Sequence, residues 1–197
     1  MNIAFLGDSL TAGWPGASYL SLLRNLLPSH TLIDHGRAGD TIADLRTRMI
    51  ATDMDPVDLA VIWVGINDAF VRDWDSPMML EDAPRVPRTL TRLRGDYTEV
   101  LGFAIRHATM VVCVPPVLPD GAEPRWQTNV QRVRLAVDDL VSLHPGVVLF
   151  DLAAAFDLAG SGEVETHFTI DGVHLSDRGA GVVAQAFAQL IQEQLEP

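Results

Sequence analysis

The run Leu59-Ala60-Val61-Ile62-Trp63-Val64 is apolar without a break. A strand with one solvated face alternates apolar and polar residues, whereas an unbroken apolar strand needs cover on both faces, as in the centre of a parallel sheet. Parallel neighbours cannot be joined by tight turns, so the chain must also supply long crossovers that carry the covering helices. It does so. Further apolar runs at 3–6, 31–35, 110–114 and 147–150 alternate with helical stripes. Those stripes are Leu20, Leu23 and Leu27 in a helix from Pro15 onward; Ile42, Leu45 and Met49; Leu90, Leu93, Tyr97, Leu101 and Ile105; Trp126, Val130, Val133, Val137 and Leu140; and Val183, Phe187, Leu190 and Ile191. The pattern predicts an α/β fold, a three-layer α/β/α sandwich around a parallel sheet of about five strands. One domain over residues 1–197 is expected, a length that buries roughly 70% of the surface the unfolded chain exposes.

The connections are uneven. Links from helix to strand, around 28–30, 53–57, 107–108 and 143–146, are short. Links from strand to helix, at 8–15, 36–41, 65–88, 115–125 and 151–177, are long, and all leave the carboxyl edge of the sheet. At that edge the strands stop and helix N-termini point unpaired N–H groups into a crevice. Long connections in a compact domain are commonly functional, so the site is expected there.

Composition removes several kinds of function. The net charge of −12 opposes binding to nucleic acid or to an anionic membrane surface, both of which need a positive field. Every one of the 14 basic residues is arginine, which removes lysine Schiff bases, Ser-Lys catalysis and the phosphate-loop lysine. The single cysteine, Cys113, sits in an apolar run, which excludes a disulfide framework and thiolate zinc sites and reads as core. No apolar stretch reaches the roughly 18 residues of an integral membrane segment. The first strand begins at residue 2, leaving no room for a signal segment, so a cytoplasmic protein is expected. There is no internal repeat.

Chemistry-bearing residues recur at the strand ends. Ser9, in the turn Gly7-Asp8-Ser9-Leu10, can be a nucleophile if a base reaches it; by itself it reads more readily as a helix cap or turn residue. Asp171 precedes His174 by three residues, a spacing that lets a carboxylate accept from one ring nitrogen and leave the other as a base. Asn67 follows the third strand and Gly39 the second. The N–H of Ser9, the N–H of Gly39 and the amide of Asn67 could therefore face one developing oxyanion, although a turn glycine and a capping asparagine look the same. Trp14, Phe70, Trp74, Met78, Met79, Leu80 and Trp126 could wall a substrate pocket, or could anchor the long 65–88 connection on the body. Arg85, Arg88, Arg92 and Arg94 read as a solvated face, and His30, His35, His107, His144 and His167 as structural.

Gly7-Asp8-Ser9-Leu10, the glycine of Ala38-Gly39-Asp40, Gly65-Ile66-Asn67-Asp68 and Asp171-Gly172-Val173-His174 together resemble the four blocks of the SGNH (GDSL) hydrolase superfamily, in family order and spacing. Pro115-Pro116 after the fourth strand is also similar. The resemblance spans residues 2 to about 188. It implies a flavodoxin-like sheet in order 2-1-3-4-5, Ser9 as nucleophile, His174 as base and Asp171 as the acid that orients it. It further implies an oxyanion hole from Ser9, Gly39 and Asn67, a small-molecule ester or thioester substrate, and no metal or other cofactor. It leaves the oligomeric state open. On this reading activity rises with pH as the histidine loses its proton, and a flat profile from pH 5 to 8 contradicts it. Three alternatives stay open. One is a flavodoxin-like binding module, although Asp8 would repel a phosphate. The others are a metal-dependent phosphoesterase built on Asp8, Asp68, Asp171 and His174, and a carbohydrate-binding relative without turnover.

Overall fold

The unbroken apolar run lies in β3 (Val57–Trp63), the central strand of a five-stranded sheet in order β2-β1-β3-β4-β5. Its neighbours are β1 (Asn2–Gly7), β2 (Thr31–Gly36), β4 (Ala108–Val114) and β5 (Val147–Leu149), and every pair is parallel. These elements come from a computed structural model that describes residues 1–52, 54–70, 89–121, 123–160 and 167–195. The register pairs Gly7 with both Gly36 and Trp63, so β1, β2 and β3 end level. Whatever follows those three strands therefore emerges side by side.

Among the described residues eight helices flank the sheet: α1 (Ser9–Ala12), α2 (Tyr19–Leu26), α3 (Ile42–Ala51), α4 (Ile66–Ala69), α5 (Leu90–His107), α6 (Pro124–Ser142), α7 (Leu152–Gly160) and α8 (Asp177–Leu195). One layer joins α2, α7 and α8; the other joins α3, α5 and α6. The first layer is pinned by aromatic side chains. Phe5 of β1, Trp63 of β3, Tyr19 of α2 and Phe187 of α8 meet with ring centroids 5.5–6.3 Å apart. All four are buried, and edge-on contacts of this kind add to their area burial. Cys113 is buried in β4, and desolvation pushes its thiol up to about 12, so it is inert as a nucleophile. No described helix is long and apolar enough to cross a membrane.

Three local expectations need correction. The first long helix starts at Tyr19, capped by Ser18, and not at Pro15, because residues 13–17 are drawn aside to pair with the chain near Leu175. Ile105 is 46% exposed, since the buried stripe of α5 runs through Leu93, Tyr97, Leu101 and Ala104 and drifts off that position. The apolar segment after β5 is a helix, α7, opened by Asp151, whose Oδ1 accepts the Ala153 N–H at 2.9 Å.

Candidate active site

The Gly7-Asp8-Ser9-Leu10 turn is built from the end of β1 upward. Asp8 caps α1 by accepting the Leu10 N–H at 3.0 Å, and Gly13, in the left-handed region, closes that helix onto the Ser9 carbonyl. Ser9 is its first residue, so its N–H has no intrahelical partner, and only 3% of the residue is exposed. The turn is held from α3 by Arg48. Its Nη2 donates to the carbonyls of Gly7 at 3.3 Å and His35 at 3.0 Å, and its Nε donates to Asp40 Oδ2 at 2.7 Å. One guanidinium thus satisfies the carbonyl ends of β1 and β2 together with the carboxylate that follows Gly39.

His174 arrives from the other end of the chain. Its Nδ1–H donates to Asp171 Oδ2 at 2.6 Å, which leaves Nε2 as the acceptor facing the Ser9 hydroxyl at 3.2 Å across 165 residues of sequence. Asp171 Oδ1 accepts the N–H groups of Val173 at 3.0 Å and His174 at 2.8 Å. Burial pushes the Asp171 carboxyl up, but the hydrogen bonds from His174 and Val173 outweigh it and hold the group ionised below the ordinary aspartate range. The loop after α1 backs the His174 segment. Ala17 N–H donates to the Leu175 carbonyl at 2.8 Å, and a Cβ on Gly16 would lie 2.6 Å from that oxygen and 3.3 Å from His174 Cβ.

The order β2-β1-β3 places Gly39, Ser9 and Asn67 after three adjacent strands. Gly39 has φ +83°, with nothing within 4 Å of where a Cβ would stand, so the backbone conformation and not crowding calls for glycine. Asn67 lies in α4 and gives one amide hydrogen to the Asp40 carbonyl at 2.9 Å, which keeps its second available. Asp68 Oδ2 accepts the Ile42 N–H, at the start of α3, at 2.9 Å. Among the described residues no three His, Cys, Asp or Glu side chains converge to hold a metal ion.

Asp8 is the electrostatic exception. It is wholly buried, its Oδ2 has no hydrogen-bond partner among the described residues, and desolvation, reinforced by Asp68 and Asp40, raises its pKa to about 7 despite the Leu10 hydrogen bond.

The profile of the GDSL-like lipase/acylhydrolase family matches residues 5–182. The chain belongs to that family. No curated protein matches it. Among solved structures it is similar to Axe2, an acetylxylan esterase from Geobacillus stearothermophilus, at TM-score 0.75 and 23% identity, covering 96% of this chain and 93% of that one. A member of the lipolytic G-D-S-L family from Veillonella parvula gives TM-score 0.75 at 16% identity, covering 99% and 100%. A lipase/acylhydrolase from Enterococcus faecalis gives 0.70 at 21%, covering 100% and 97%. At these identities the likeness speaks for the fold, and family membership makes the protein a carboxylic ester hydrolase.

Around Ser9 of this GDSL-family hydrolase the aromatic residues divide. Trp14 is 69% exposed just after α1. Phe70 packs edge-on against Trp126 at 4.9 Å, Arg125 covers the Trp126 ring at 4.5 Å, and Asn129 Nδ2 donates to the Ala69 carbonyl at 3.0 Å. That cluster fastens the start of the 65–88 connection to α6, in keeping with an anchoring role. Trp74, Met78 and Met79 lie outside the described residues. Sequence reasoning missed Arg48 and Asp40, which act on backbone and look like an ordinary helix arginine and loop aspartate. Their only signal is an arginine eight residues after an acid that flanks a site glycine.

Proposed function

We propose that the protein is a serine esterase in which Ser9 forms an acyl-enzyme, His174 moves the proton and Asp171 orients the ring. One observation carries this reading: the unbroken path from Asp171 Oδ2 through the His174 imidazole to Ser9 Oγ at the carboxyl edge of the sheet. Oγ attacks the ester carbonyl as its proton passes to Nε2. The C–O double bond opens to an oxyanion facing the N–H of Ser9, the N–H of Gly39 and the free amide hydrogen of Asn67. Collapse expels the alcohol, which takes the proton back from Nε2. Water, deprotonated by the same nitrogen, then releases the acid and restores Ser9. Asp171 stays ionised throughout and stabilises the imidazolium of both steps. The substrates proposed are carboxylic esters of small acyl groups, acylated sugars or lipids, with Trp14 beside the nucleophile as a contact for the leaving group. Each carboxylate of the metal alternative already has a protein partner, which weighs against that reading.

The test is turnover of p-nitrophenyl esters from acetate to palmitate with chelator present, followed by treatment with diethyl p-nitrophenyl phosphate. Hydrolysis that survives the chelator and stops with one phosphoryl group, found on Ser9, is expected; an unmodified Ser9 in inactivated protein defeats the assignment. Asn67→Ala supplies a second check. The donor acts on charge that exists only in the transition state, so kcat should fall by about 10²- to 10³-fold while KM changes little. A loss confined to KM would place Asn67 in ground-state binding instead.

A further inference from the structure

The Asp171–His174 pair rides on a stretch with almost no regular structure, held internally by the isolated bridge between Thr169 and Leu175 and by Ile170 N–H donating to the His174 carbonyl at 2.8 Å. Such a hairpin needs an outside anchor to hold an imidazole at hydrogen-bond distance from a serine. The anchor is Asp120, from the connection between β4 and α6. Its Oδ1 accepts the Phe168 N–H at 2.9 Å, and its Oδ2 accepts the Thr169 N–H at 2.8 Å and also the Thr169 hydroxyl. The Thr169 oxygen in turn accepts the Gly172 N–H at 3.1 Å, inside the turn between Asp171 and His174. The Asp120 side chain is 14% exposed and Thr169 is buried, so water competes little for these bonds.

We infer that Asp120 and Thr169 form a positioning relay that sets the reach of His174 to Ser9, acting through the backbone of the loop and touching no substrate. The inference rests on the serine-esterase reading of that loop. Its logic is the usual one for a charged acceptor facing three donors: the carboxylate fixes two backbone N–H vectors and a hydroxyl at once, and the hydroxyl, having given its hydrogen to Asp120, has its lone pairs free for Gly172. Burial raises the Asp120 carboxyl, and the Thr169 hydroxyl and the two N–H groups more than offset this, with His167 the further titratable group facing it, 3.9 Å away. The carboxylate is therefore in place wherever His174 is neutral. Displacement of a catalytic group by about 1 Å can cost on the order of 10²-fold in rate, which is the scale on which such a relay matters.

The experiment compares Asp120→Ala, Thr169→Val and Thr169→Ser with the wild type, each shown folded by circular dichroism. It reads kcat and KM on p-nitrophenyl acetate, and the low-field proton resonance of His174 Nδ1–H. Thr169→Val keeps the shape and removes the hydroxyl; Thr169→Ser keeps the relay. Expected are a fall in kcat of about 10- to 100-fold in Asp120→Ala and Thr169→Val with KM little changed, a shifted or lost low-field resonance in both, and recovery of both properties in Thr169→Ser. If Asp120→Ala does not fold, the valine and serine pair decides alone. Folded Thr169→Val with wild-type kcat and resonance overturns the relay, as does a Thr169→Ser no better than valine. A wild type that neither hydrolyses the ester nor accepts a phosphoryl group on Ser9 would instead be a failure of the esterase reading, and the resonance would still report whether the relay orders the loop.

Discussion

Ser9→Ala and His174→Ala should each lower kcat by about 10⁴- to 10⁶-fold on p-nitrophenyl acetate, and the double variant should be no slower than the worse of the two. The reason is that, on the proposed mechanism, the two side chains perform one event. Without the hydroxyl, Nε2 has no proton to accept from the nucleophile; without the ring, a buried hydroxyl 3.2 Å from where Nε2 stood has no base to ionise it. Losses of two independent contributors would multiply, whereas losses within one unit saturate. Activity should not vanish altogether, because the N–H groups of Ser9 and Gly39 and the Asn67 amide remain to polarise a bound carbonyl toward water. Initial rates on purified, folded variants read the effect. Multiplying losses, or either single loss below about tenfold, would separate Ser9 from His174 in function despite their contact.

Asp8→Asn should make the protein more stable at neutral pH, a gain at a residue beside the nucleophile. The carboxyl titrates at about 7 when folded against an ordinary 3.8, chiefly because it is desolvated. A folded-state pKa that is raised gives stability fully present below the unfolded value and lost as pH rises through the folded one. From about pH 4 upward the unfolded chain gains ionisation free energy that the folded protein cannot match, until near pH 7 Asp8 ionises in both. At about 1.4 kcal/mol per pH unit the deficit reaches about 4 kcal/mol. An asparagine keeps the Oδ1 that accepts from Leu10 and has no charge to desolvate. Chemical denaturation should show wild type and variant alike near pH 4, the variant pulling ahead as pH rises and the gap levelling off above about pH 7. A gap independent of pH would mean that Asp8 does not titrate in this range.

What could be read from the chain follows from the kind of force each feature expresses. Burial has a period, so β3 and the stripes of α3, α5, α6 and α8 were legible as apolar spacing. Strand order has no period. It was reached through the resemblance of Gly7-Asp8-Ser9-Leu10 and its companion blocks, and the structure has the same order. Ser9, Gly39 and Asn67 each follow closely on a strand whose place was clear, and the structure brings His174, with Asp171, to Ser9 from far along the chain. Arg48, Asp120 and Thr169 were not legible, since each works through a hydrogen bond to a segment far along the chain, and Asp40 acts through Arg48. The start of α2 was misplaced for the same reason: helix-friendly residues after Pro15 yield to a backbone bond with Leu175.

The sequence separation of 165 between Ser9 and His174 also carries a consequence in time. Ser9 follows the first strand, and His174 lies just before α8, which packs on α2 near the beginning of the chain. A contact of such long sequence separation is among the costliest for a folding chain to close. Every earlier strand and helix can be in place while the serine still has no base. On the proposed mechanism, a chain whose Asp171–His174 segment has not yet reached Ser9 has no base for attack on an ester.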